Sequence, residues 1–96
     1  MRILALEIEK QEISGDDIHA ILTEEARKVW KLYQADFIRE IYFRADKTSA
    51  ILMLECSDIK EAKQRLSELP LVSANLIDFE LIPLAPYPGF SRLFKA

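Results

Sequence analysis

The chain has 96 residues, half of them hydrophobic and 30% charged, with a formal net charge of −3 and a single cysteine. That length makes one domain, burying roughly 60–65% of the surface its unfolded chain exposes, and the composition is too apolar for a disordered segment. No basic face is concentrated enough for a nucleic-acid partner, the longest apolar run (residues 50–54) is far below the ~20 residues a membrane crossing needs, no leader is apparent, and Cys56 has no internal disulfide partner, so a cytoplasmic protein is expected.

Residues 2–9, RILALEIE, alternate as a half-buried strand, with Leu4, Leu6 and Ile8 on one face and Ile3, Ala5, Glu7 and Glu9 on the other. QEISG breaks it, and Ser14 or Asp16 caps a helix that runs to about Gln34. Asp17, Glu24 and Glu25 lie toward its start and Arg27, Lys28 and Lys31 toward its end, as the helix dipole favours. Ile18, Leu22, Ala26 (or Glu25), Val29 and Tyr33 recur at helical spacing, and Trp30 broadens the stripe. Residues 37–46, FIREIYFRAD, form a second strand. Ile38, Glu40, Tyr42 and Arg44 make one series, and Arg39, Ile41 and Phe43 make the core-facing one. ADKTS turns the chain into a third, more apolar strand at residues 50–56, which makes a hairpin. Asp58 and Glu61 read as a capping box, and Ile59, Ala62, Leu66 and Leu69 as the buried stripe of a second helix that stops at Pro70. Residues 77–84 alternate again, Ile77, Phe79 and Leu81 opposing Asp78, Glu80 and Ile82, with Pro83 marking a strand end or an edge.

The order βαββαβ with right-handed crossovers predicts a ferredoxin-like α+β fold: an antiparallel four-stranded sheet with two helices on one face. The other face is expected to carry Glu7, Glu40, Tyr42, Arg44 and Glu80, with either Ala50, Leu52 and Leu54 or Ile51, Met53 and Glu55 from the third strand. No helix is left to cover it, so a second copy of the chain is expected to do so, enclosing a barrel-like interior between two sheets. Residues 1–86 form the domain. Residues 87–96, with Tyr87, Phe90, Leu93 and Phe94, are too apolar for a free tail and read as an extended arm, rather than a helix, that packs on its own or a neighbouring subunit.

No paired His or Cys spacing suggests a metal, and two glycines make no phosphate loop, so neither a metal nor a cofactor is expected. A proton shift beside a carbonyl needs a base and a donor for the developing oxyanion. Glu40 or Glu55 can serve as base, Tyr42 as donor and Arg44 as clamp for a substrate carboxylate, with Glu7, Met53, Glu80, Ile82 and Phe90 around the ligand and partial burial raising a glutamate pKa. The same residues also read structurally, as a Glu40–Arg44 salt bridge with Tyr42 an interface aromatic. His19 has no evident role, Cys56 reads as a small core residue, and Trp30 and Tyr33 read as core or interface. The spacing of Glu25 from Leu22 and Val29 can turn it inward.

LSELPLVSANLIDFELIPL, residues 66–84, with a helix ending in Leu69, Pro70 and Leu71 and a strand carrying Asp78 and Glu80, resembles the muconolactone isomerase branch of the dimeric α+β barrel proteins. The similarity runs without gaps from about Glu24 to Ile82, through Leu32, Arg39, the hairpin and Leu66. It implies a ferredoxin-like protomer, at least a homodimer, and a pocket at subunit contacts. It also implies an isomerase that shifts a proton on a small unsaturated lactone acid without cofactor or metal, so a small carboxylate or lactone is the expected ligand. The chain departs from that enzyme's pattern at Glu40, where the enzyme has histidine, and at Phe43, where it has arginine, with Arg44 next door on the opposite face. It departs again at Tyr87 to Phe90, where the enzyme's tail has a histidine-proline pair.

Overall fold

The computed structural model describes residues 1–12, 14, 15 and 18–95. Four strands, β1 (Arg2–Glu9), β2 (Ile38–Phe43), β3 (Ala50–Glu55) and β4 (Ile77–Leu84), form one sheet in the order β2-β3-β1-β4, every neighbouring pair antiparallel. Helix α1 (Ile18–Gln34) crosses between β1 and β2; α2 (Ile59–Leu66) and the one-turn α3 (Pro70–Ser73) cross between β3 and β4. This is the expected ferredoxin-like arrangement. The candidate cap Asp16, and Asp17, lie outside the described residues.

Local chemistry sets the element ends. The expected capping box at α2 forms with one change of partner: Asp58 Oδ1 accepts the Glu61 N–H at 2.8 Å, while the Glu61 carboxylate accepts the N–H of Ser57, at 3.2 Å, instead of that of Asp58. Helix α2 ends at Leu66, before Pro70, because Pro70 opens α3, at a position where its missing N–H costs nothing. Two Schellman-type ends deliver the chain to the sheet. After α1, Phe37 N–H donates to Leu32 O and Asp36 N–H to Tyr33 O; after α3, Leu76 N–H donates to Leu71 O and Asn75 N–H to Val72 O. Asp36 (φ 63°) and Asn75 (φ 61°) hold the left-handed position that each motif requires, which short polar side chains tolerate.

The register assigns the faces. On the helix-covered side, Ile3 and Ala5 of β1, Leu52 and Leu54 of β3, and Ile77 of β4 are all within 2% of full burial. The open side carries two cross-strand rows, Glu40–Met53–Leu4–Ile82 and Tyr42–Ile51–Leu6–Glu80. The third strand therefore presents Ile51, Met53 and Glu55 outward. Glu7 does not lie on the open face as expected: it shares the helix side with its partner Phe79. The expected alternation of β2 is also corrected. A bulge between Ile38 and Glu40 leaves Arg39 as the extra residue, exposed, its Nε donating to Asp36 O at 2.7 Å. Ile38 thereby joins Ile41 and Phe43 on the helix side, and Arg39 leaves it.

The last residues differ from the expected extended arm. After a short extended stretch, Gly89–Phe94 form a 3₁₀ turn in which the Tyr87 and Phe90 rings meet edge-on at 5.0 Å. Gly89 lets the Tyr87 ring lie directly over it, where a Cβ would make the ring move aside. Tyr87, Phe90, Leu93 and Phe94 are 65–84% exposed, and the molecule extends 66 Å along its longest axis against 28 and 20 Å across. The arm thus stands away from its own domain. No helix among the described residues is long and apolar enough to cross a membrane.

Candidate functional site

An apolar cavity lies on the helix side of the sheet, a chamber of about 360 Å³ under the middle of α1. The second half of that helix seals against the sheet through Leu32, whereas Leu22, Glu25, Ala26 and Val29 form a roof. Ile41 and Phe43 of the edge strand, with Ala50, Leu52 and Phe79, form the floor, and Leu69 and Leu71 close one end. Leu22 (40%), Ile41 (39%) and Phe43 (66%) keep much of their surface exposed, so the chamber opens between α1 and β2.

Among the described residues, two ionisable groups line it, Glu7 and Glu25. Glu25 Oε1 accepts the Leu71 N–H, in the first turn of α3, at 2.9 Å, and Glu7 Oε1 accepts the Ala50 N–H at 3.3 Å. The neighbouring Ser49 is 7% exposed, and its Oγ donates to Glu7 O at 3.2 Å, fixing β1 to the hairpin. Burial raises the pKa of both carboxyls, partly offset by their backbone hydrogen bonds. The charge of Glu7 raises Glu25 further, and that of Glu9 raises Glu7. The expectation that Glu25 turns inward therefore holds, and Glu7 meets it in the same chamber.

A stability test follows from this geometry. Glu25→Ala is expected to cost about 1–3 kcal/mol in urea unfolding, because the Leu71 N–H loses its acceptor, whereas Glu25→Gln keeps an acceptor and stays near the parent. The pH dependence has a definite sign. A carboxyl whose pKa is higher folded than unfolded binds more protons in the fold, so its contribution is fully present below the ordinary glutamate value and declines as pH rises through the raised one. Glu25→Gln is expected to flatten that decline; an unchanged slope would count against the burial of the charge.

The other expected site residues sit elsewhere. Glu40 and Tyr42 are neighbours on the open face, the phenol donating to Glu40 Oε1 at 3.2 Å, and that carboxylate raises the Tyr42 pKa. Met53, Ile82 and Glu80 share their rows. Arg44 does not meet Glu40, as the expected salt bridge required; its guanidinium is held by Asp46 through Nε at 2.9 Å and Nη2 at 2.6 Å, because the hairpin turn brings that carboxylate back beside it. Glu55 faces the N-terminal ammonium at 2.9 Å, which lowers its pKa, the opposite of the expected upward shift for a catalytic base. Phe90 is on the exposed arm. Cys56 is half-buried and its thiol is pushed up by burial. Trp30 and Tyr33 stack at 5.9 Å on the outside of α1, 58% and 44% exposed, so neither is a core residue. Among the described residues no group of three or more His, Cys, Asp or Glu side chains is placed to hold a metal.

The sequence matches no family model and no curated protein. The fold matches a solved one: the crystal structure of muconolactone isomerase superposes with a TM-score of 0.79 at 17% identity, over 92% of this chain and 92% of that one. The chain therefore has a muconolactone isomerase-like ferredoxin fold.

Proposed function

We propose that the protein binds a small, largely apolar acid or lactone in the chamber beneath α1 and moves a proton on it without a cofactor, as a muconolactone isomerase-like protein. The observation that carries this reading is the pairing of two carboxyls of raised pKa in an otherwise apolar cavity of about 360 Å³. Environments that separate two carboxyls into one acid and one base are how a single fold runs both halves of a proton shift near neutral pH. The charge of Glu7 opposes ionisation of Glu25, which favours Glu7 as the group that ionises. Glu7 is accordingly the base that takes a proton from carbon, and Glu25 the acid that donates to the carbonyl oxygen as it gains charge. Each keeps one oxygen on a backbone N–H, and among the described residues no hydrogen bond holds the other.

In this reading the protein is a homodimer. The open face, with Leu4, Leu6, Ile51, Met53 and Ile82 outward, meets the same face of a second copy, Glu40 and Tyr42 lie at that interface, and the arm of residues 87–96 packs on the neighbour. A second reading, an oligomerisation module without catalysis, is favoured by one observation: Glu40 and Tyr42, and Arg44 and Asp46, are already paired with each other.

Ala26→Trp separates the two. Ala26 is exposed at the roof, so an indole there blocks the chamber without entering the core. Unsaturated γ-lactones are expected to raise the melting temperature of the parent and to lose that effect in Ala26→Trp, with the oligomer intact. Equal shifts in both proteins would exclude the chamber as the ligand site.

A further inference from the structure

We propose that the chamber takes an electrically neutral, carbonyl-bearing apolar molecule and rejects the carboxylate form of the same compound, a substrate class that rests on the reading of the chamber as the ligand site. The expected anion clamp is not there. Among the described residues no lysine, arginine or histidine lines the cavity. Arg44 is engaged twice by Asp46, Arg39 is turned to the Asp36 carbonyl, and Lys28 pairs with Glu68 on the outer side of α1 at 3.3 Å. Lys47 lines a separate hollow on the hairpin side of Glu7, beside Thr48 and Ser49.

Two backbone donors at the chamber are also occupied. The Leu71 N–H is taken by Glu25, and the Ala50 N–H by Glu7. An entering carboxylate would lose water against apolar walls, find no cation among the described lining residues, find the Ala50 and Leu71 N–H groups already taken, and face two groups that are themselves acceptors whenever ionised. A neutral carbonyl oxygen meets the opposite situation, since a protonated carboxyl beside it donates one hydrogen bond. The apolar walls, Leu22, Val29, Leu52 and Phe79 among them, suit the rest of such a molecule.

The experiment uses one unsaturated γ-lactone carrying a side chain as its methyl ester and as its free carboxylate, with the Ala50 and Leu71 amide resonances as reporters. At neutral pH the ester is expected to shift both resonances and to bind at least about tenfold more tightly than the carboxylate. In the double variant Glu7→Gln/Glu25→Gln, whose amides keep acceptors for both N–H groups, that preference is expected to shrink to about threefold or less. Carboxylate binding as tight as ester binding in the parent overturns this proposal and leaves the chamber reading standing. Resonances unmoved by either probe overturn the chamber reading, and this proposal with it.

Discussion

Leu4→Asp is expected to leave the protein as single chains at concentrations where the parent is a dimer. Leu4 sits on the central strand between Met53 and Ile82, the most apolar point of the open face, with Glu40 and Tyr42 toward one edge and Glu80 toward the other. A two-fold interface sets this patch against itself, so one substitution places two carboxylates in the contact. Half-exposed leucine and isoleucine side chains gain from losing their remaining water at about 25 cal/mol per Å², whereas an unpaired carboxylate held there costs several kcal/mol. A loss of about 4 kcal/mol raises a dissociation constant about 10³-fold, enough to abolish a micromolar dimer. Light scattering over a concentration series measures it. A Leu4→Asp protein that assembles like the parent would falsify the face-to-face dimer, as would a parent that is a single chain throughout. Deleting the arm after Pro86 tests another part of the same reading: the loss of its four exposed apolar residues is expected to weaken the dimer and leave the fold unchanged.

The element order was legible because each element carries its own period: strands alternate, the α1 stripe recurs at helical spacing, and the Asp58–Glu61 cap marks where α2 begins. The faces were less so, for reasons specific to two strands. In β1 both series are apolar, Leu4, Leu6 and Ile8 against Ile3 and Ala5, so alternation alone does not say which meets the helices. Ala5, fully buried, marks the helix side, in one core cluster with Leu32 of α1 and Ala62 of α2. That choice carries Glu7 to the chamber. In β2 the bulge at Arg39 has no compositional signature; it is visible only in pairing with β3, and it exchanges which residue of Ile38 and Arg39 is buried. The candidate chemistry followed the faces. A row of acid, phenol and guanidinium was plain in the sequence, and the register puts its Glu40 and Tyr42 on the open side as expected, across the sheet from the chamber. The signal for the chamber was the lone acid Glu25 within the apolar stripe of α1, and its second carboxyl comes from β1, eighteen residues earlier in sequence and adjacent only once the chain folds.

Glu7→Gln is expected to lower the rate at which the protein exchanges a carbon-bound proton of an unsaturated γ-lactone with solvent by about 10²–10⁴-fold, the usual worth of a positioned general base. The amide keeps an acceptor for the Ala50 N–H, so the fold and ligand affinity are expected to change little. Glu25→Gln should be milder, because its amide still donates a hydrogen bond to the carbonyl oxygen. The pH profiles separate the roles. In the parent, exchange should fall at low pH as Glu7 takes a proton and at high pH as Glu25 loses one, with both apparent pKa values belonging to the coupled pair and lying above the ordinary glutamate range. Glu25→Gln removes the group responsible for the alkaline limb, so its rate should stay flat there. Its acid limb should stay in place, because Glu25 is still uncharged while Glu7 titrates. Deuterium incorporation from heavy water, followed by NMR, reads each profile directly. An alkaline limb that survives in Glu25→Gln would remove Glu25 from the role of acid, and exchange undiminished in Glu7→Gln would remove Glu7 from that of base.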